Sequence, residues 1–135
     1  MKFHRGRLID HIHLRVADLA ASKRFYHAVF TALGHPDALH EGQGFFHADE
    51  LFVDEAQDYI TRVHLAFQTQ DRETVHKVYQ AALAAGGRDN GAPGERAYHP
   101  GYYGAFVLDP DGNNIEAVFH GPFERNVASV EITAK

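Results

Sequence analysis

Polar and apolar residues alternate along residues 8–16, Leu-Ile-Asp-His-Ile-His-Leu-Arg-Val, with Ile12, Leu14 and Val16 on one face and His11, His13 and Arg15 on the other. A period of two predicts a strand with one buried side. The period then changes. Phe25, Val29, Ala32 and Leu33 form a stripe of helical spacing, with Asp18 placed to cap its start and Gly34 to stop it; the pattern predicts a helix from Leu19 to about Leu33. His35-Pro36-Asp37 reads as a turn, and residues 44–47 and 51–54 as two short strands with Asp49-Glu50 near the turn between them. There is room for one more short strand after the helix.

The pattern then restarts. Residues 62–68 read as a strand, Asp71 as a cap, Val75, Val78, Tyr79 and Leu83 as an apolar stripe, and Gly86-Gly87 as a stop. Residues 88–100, rich in Gly, Pro and polar side chains, read as a loop that edges a groove and shapes specificity. Residues 102–108, Tyr-Tyr-Gly-Ala-Phe-Val-Leu, are a strong strand. Asp109-Pro110-Asp111-Gly112 is a turn in which Pro presets φ, and residues 114–120 return as the last strand. Residues 127–133 predict an edge strand in the tail. Two helices among about eight strands argue against a doubly wound parallel fold.

The restart is a repeat. At an offset of 53 residues, 12–34 lie over 65–87 without a gap, and His11 falls on His64, Asp18 on Asp71, Tyr26 on Tyr79 and Gly34 on Gly87. A lone His at a strand start is ordinarily a surface residue. Two of them at equivalent places in paired modules could be brought together, and clustered imidazoles suit a metal ion. His13 shares a face with His11, but its counterpart is Ala66, so the repeat does not support it as a ligand.

Composition narrows the classes. The 135 residues suit one domain, with module one at about 8–56, module two at about 61–120 and a tail at 121–135. The net charge is -5 with Lys and Arg scattered, which argues against a nucleic-acid or anionic-membrane surface. No apolar run approaches the roughly 18 residues of a membrane span. The N-terminus has no apolar leader segment, and a cytoplasmic protein is expected. Without Cys there is no thiolate chemistry. The count of 11 His means that most are solvated surface groups.

Three segments carry a resemblance: Asp10-His11-Ile12-His13-Leu14-Arg15-Val16-Ala17-Asp18-Leu19 with Phe25-Tyr26, then Val63-His64-Leu65-Ala66-Phe67, and last Leu108-Asp109-Pro110-Asp111-Gly112-Asn113-Asn114-Ile115-Glu116-Ala117-Val118. Together they resemble the vicinal oxygen chelate superfamily, which holds glyoxalase I, fosfomycin-resistance thiol transferases, bleomycin-binding proteins and extradiol dioxygenases. The resemblance implies an α+β fold of two βαβββ modules forming an open, curled mixed β-sheet, the glyoxalase-like barrel. It implies a divalent metal held by His11, His64 and Glu116, and it makes homodimers common, with the groove formed within a chain or across the dimer.

Two imidazoles and a carboxylate leave open positions for an oxygen-bearing substrate, and Zn, Ni, Mn, Fe and Co all suit the set. Glyoxalase-like isomerisation or thiol addition on a small molecule is the expected chemistry, with Glu116 a candidate catalytic carboxylate. Tyr102, Tyr103 and His13 are candidate substrate-binding residues, one tyrosine facing the barrel and one away from it. Glyoxalase I commonly adds a fourth carboxylate ligand. Here two registers are open: in one Phe52 takes the place of Glu116 in module one, in the other Glu50 does and would ligate. Extradiol enzymes usually carry four modules, against two here. A metal-free binding module of the bleomycin type, or an idle site in a degraded enzyme, are the other readings.

Overall fold

The structure is a computed structural model and describes residues 8–125. The chain runs β1 (Ile12–Val16), α1 (Leu19–Ala32), β2 (His40–Gly42), β3 (Phe45–Ala48), β4 (Leu51–Glu55), then β5 (His64–Gln68), α2 (Arg72–Ala84), β6 (Arg88–Glu95), β7 (Tyr103–Leu108) and β8 (Asn114–Phe119). Each half is βαβββ. The strand orders β1-β4-β3-β2 and β5-β8-β7-β6 are the same arrangement twice. In each sheet the first strand of the module pairs parallel with the last, and the other pairings are antiparallel. The two four-stranded mixed sheets are separate and are not closed into a barrel.

Local chemistry explains the elements. Asp18 accepts from the Ala21 amide at 3.1 Å, and Asp71 accepts from the amide and hydroxyl of Thr74, each at 2.7 Å, so both helices start where a carboxylate satisfies a free N–H. Gly34 and Gly86 follow the helices at φ 94° and 99°, a conformation that costs a side chain energy. Leu14, Val16, Phe46, Val53, Phe25, Tyr26 and Val29 fill the interior of module one, and Val75, Val78, Ala105, Val107 and Ile115 that of module two. The helices lie against each other, α2 covers β6, β7 and β8, and Phe30 of α1 meets Phe67 of β5 edge to face at 5.7 Å. The core therefore sits between the helices and the inner faces of the sheets. The opposite faces form two shallow cups.

Several expectations change. The first strand begins at Ile12 rather than Leu8. Residues expected as a loop, 88–100, contain the eight-residue strand β6, which pairs antiparallel with β7 through register shifts at Asp89, Gly91 and Gly94. It is an edge strand, so Gly and Pro are tolerated and no alternating apolar face is needed. The tail strand expected at 127–133 lies outside the described residues. No helix among the described residues is long and apolar enough to cross a membrane.

The Asp-Pro-Asp-Gly segment is more than a turn. The Asp109 carboxylate is buried and accepts from the Tyr26 hydroxyl at 2.5 Å, the amides of Asp111 and Asn113 at 3.0 and 2.8 Å, and the Asn113 side chain at 2.9 Å. Asn113 in turn accepts from the Val63 amide at 2.7 Å, and Asp111 from the Ala17 amide at 3.2 Å. One turn thus ties α1 and the end of β1 to the start of β5, the position from which His64 projects.

Candidate functional site

The cup of the second sheet is built on β5, β7 and β8. Parallel pairing of β5 with β8 sets Ala66 opposite Glu116 and His64 opposite Asn114. Glu116 is 2% exposed although its strand neighbours are Ile115, Ala117 and Val118. A carboxylate in such surroundings needs partners. It has them: His64 Nε2 lies 2.9 Å from Oε1, and the Tyr102 hydroxyl donates to Oε2. Burial and this bond to Glu116 push the Tyr102 hydroxyl well above the ordinary tyrosine range, so it stays protonated and remains a donor. Gly104 stands beside the pair. A Cβ there would come within 3.1 Å of Glu116 Oε2 and 3.3 Å of the Tyr102 ring. Phe106 lies opposite Glu116 and its ring centroid is 5.8 Å from that of His64.

His11 stands elsewhere. Its Nδ1 lies 2.7 Å from Asp10, and its side chain is 68% exposed. Among the described residues no three His, Asp or Glu side chains are grouped closely enough to hold a metal ion. One chain brings together two of the three expected donors. As far as it goes, that pair fits a metal: ligand atoms at about 2.0–2.2 Å from one ion stand about 3 Å apart, as His64 Nε2 and Glu116 Oε1 do.

His11 and His13 line a cavity of about 440 Å³ with His47, Asp49, Leu51 and Phe52 on the first sheet. His13 Nε2 is 2.7 Å from Asp54 Oδ1. Pairing of β1 with β4 sets His13 opposite Phe52, as Ala66 is set opposite Glu116. Phe52 therefore occupies the position equivalent to Glu116. Glu50 lies two residues before it and takes the position equivalent to Asn114. Partial burial raises the Glu50 carboxyl above its ordinary value, with the neighbouring Asp49 carboxylate acting in the same sense.

The two tyrosines separate as adjacent strand positions must. Tyr102 reaches Glu116. Tyr103 turns to α2, where its hydroxyl pairs with His76 Nε2 at 2.7 Å and Arg72 lies 4.5 Å over its ring. Tyr103 thus leaves the candidate site. Sequence reasoning missed the partnership of Tyr102 with Glu116 and the anchoring role of Asp109 and Asn113. The only signal for the latter was a pair of polar residues beside a strand that needed none.

A βαβββ repeat with the same strand order in both halves defines an α+β protein of the paired-module kind. The chain belongs to the Glyoxalase/Bleomycin resistance protein/Dioxygenase superfamily, whose model matches residues 8–117. Its fold is that of a glyoxalase/bleomycin resistance protein from Albidiferax ferrireducens T118, at 28% identity and a TM-score of 0.69, covering 83% of this chain and 98% of that one. A glyoxalase-related enzyme from Fulvimarina pelagi matches at 23% identity and a TM-score of 0.66, covering 84% and 88%. A glyoxalase/bleomycin resistance protein/dioxygenase family enzyme from Burkholderia phytofirmans PsJN matches at 21% and 0.62, covering 82% and 96%. No curated protein matches the chain.

Proposed function

We propose that the chain is a small-molecule enzyme of the glyoxalase or thiol-transferase kind that works as a homodimer. In this reading His64 and Glu116 of one chain and His11 of a second copy hold a divalent ion, one of Zn, Ni, Mn, Fe or Co, with no ligand from Glu50. The observation that carries the reading is the buried Glu116 carboxylate, set in an apolar strand with the half-exposed His64 2.9 Å away. A buried carboxylate is costly to maintain for packing alone.

When bound, the ion would supply Lewis-acid polarisation of substrate oxygens. The chain's own residues do the rest. Tyr102 and His64 fix the orientation of the Glu116 carboxylate, Gly104 lets that carboxylate and the Tyr102 ring lie close against the strand, and Tyr102 offers a proton-bearing oxygen at neutral pH.

Metal content by elemental mass spectrometry tests the reading. The wild type should carry about one divalent ion per chain, lost in both Glu116→Ala and His11→Ala. An equal mixture of those two variants, after chain exchange, should regain about a quarter of the sites, because half of the dimers are then mixed and one of the two shared sites in each keeps its full ligand set. A wild type that takes up none of the five metals overturns the reading. One observation favours the second candidate, a metal-free binding module of the bleomycin-resistance type: both Glu116 oxygens already have partners within the chain.

A further inference from the structure

His99 stands in the turn between β6 and β7, and His120 directly follows β8. Their rings stack at 5.2 Å and 17°, with His99 Nε2 2.9 Å from His120 Nδ1. Two glycines permit this approach. Gly101 and Gly121 sit at φ 90° and 93°, and a Cβ on Gly101 would come within 3.3 Å of the His120 carbonyl oxygen. Tyr102 backs both imidazoles: its ring meets His99 edge to face at 5.4 Å and His120 at 5.2 Å, while its hydroxyl is anchored on Glu116. The two rings are thus held in place before any ligand arrives, which lowers the entropic cost of binding one. Both histidines are partly exposed and within reach of a dissolved ion.

The hydrogen bonds fix one tautomer. His99 Nδ1 lies 2.8 Å from the Pro100 carbonyl oxygen, which only accepts, so that nitrogen carries the hydrogen and Nε2 turns its lone pair toward His120. An imidazole pinned by a carbonyl in this way is arranged as metal-ligating histidines are. In the ion-free pair the His120 Nδ1 hydrogen fills the gap. Moving that hydrogen to Nε2 of the same ring leaves two lone pairs aimed at one point, with no change of net charge. The spacing then selects the ion. Ligand atoms about 2.1 Å from an ion stand about 3.0 Å apart at a right angle and about 3.4 Å apart at the tetrahedral angle. At 2.9 Å the pair matches neighbouring positions of a tetragonal or octahedral ion. Tetrahedral Zn would require it to open by about half an ångström.

We propose that His99 and His120 form a second metal site, complete within one chain, for a tetragonal late first-row ion, Cu(II) before Ni(II), with water in the remaining positions. Imidazole suits both ions, and Cu(II) binds nitrogen donors most tightly of the divalent series. With two protein donors the site is weaker than a three-ligand centre and fills when metal is added. It uses neither His64 nor a second copy of the chain, and it meets the Glu116 centre only through Tyr102.

The test is a Cu(II) titration of full-length Glu116→Gln protein, followed by calorimetry and electron paramagnetic resonance. Glutamine removes the charged ligand of the first centre and keeps an acceptor for the Tyr102 hydroxyl. About one Cu(II) per chain should bind, with a tetragonal spectrum split by two imidazole nitrogens. Adding His99→Gln or His120→Gln should weaken binding at least about tenfold. Adding His40→Ala, from the pair whose rings lie 5.3 Å apart on β2 and β3, should leave it unchanged. His99 lies in a surface turn, and an unchanged circular dichroism spectrum establishes that its variant folds. Cu(II) affinity indifferent to both glutamine substitutions overturns the proposal, as does a spectrum with a single nitrogen ligand or binding lost in His40→Ala instead. Because the titrated protein lacks the Glu116 charge, the result stands apart from the reading of the first centre.

Discussion

The two modules share a framework and differ in what they present to the cup. Their helices start at Asp18 and Asp71, their first and last strands pair in parallel, and their strand orders match. On the inner faces both carry aliphatic and aromatic side chains. On the outer faces module one carries His13, Phe52, His47 and Phe45 where module two carries Ala66, Glu116, Phe106 and Gly104. The closing hairpins differ as well. In module one, Asp49 and Glu50 alone join β3 to β4, with Asp49 at φ 50°, whereas five residues centred on the buried Asp109 network join β7 to β8. Inward positions are constrained by packing and change little in kind. Cup positions are free of that constraint, so the chemistry lies in the difference between the modules.

Removing the joint that only module two has should have the largest effect. Asp109→Ala strands the Tyr26 hydroxyl and the Asn113 amide groups in the interior, and about 3–5 kcal/mol of stability should be lost in a urea titration. A loss below about 1 kcal/mol would mean that the turn is held by its backbone alone.

The same joint should respond to alkali. Burial, then the charge of Asp109, raise the Tyr26 hydroxyl far above its ordinary value of 10.0. In the unfolded chain Tyr26 ionises near 10 while in the folded chain it keeps its proton, so the stabilisation is complete below that pH and falls by about 1.4 kcal/mol per unit above it. Tyr26→Phe should be about 1–2 kcal/mol less stable at pH 7 and draw level with the wild type above about pH 10. Parallel stability profiles for the two proteins would count against the Tyr26–Asp109 bond.

Making module two resemble module one at its centre should separate function from stability. Glu116→Leu replaces a buried carboxylate by an apolar side chain, and thermal stability should hold or rise by up to about 2 kcal/mol while metal uptake disappears. A large destabilisation would assign Glu116 to the fold instead.

The smallest effect belongs to the half-exposed His13–Asp54 pair. Asp54→Ala should change stability by less than about 0.5 kcal/mol because solvent screens such pairs. A stability loss above about 1 kcal/mol, read from the urea midpoint, would reassign the pair to the scaffold.

Much of this was legible in the residues themselves. The alternation at residues 12–16, the caps Asp18 and Asp71, the stops at Gly34 and Gly86 and the carboxylate in an apolar strand are all set within a few positions of chain, because strand and helix periods and turn conformations are local properties. The repeat alone assigns His11 and His64 to equivalent positions of the two modules. What the sequence left open was non-local. The choice between Phe52 and Glu50 as the counterpart of Glu116 is a two-residue difference of register that leaves both on the same face, so alternation does not separate them, and only pairing of β1 with β4 decides it. Strand β6 lacks an apolar pattern because an edge needs none on its open side. Asp109 reads as a turn residue until Tyr26, 83 positions earlier, is folded against it. And two histidines in matching places along the chain end in different surroundings, His64 on a buried carboxylate and His11 toward solvent, because the packing of two sheets and two helices, not the repeat, sets where each strand end points.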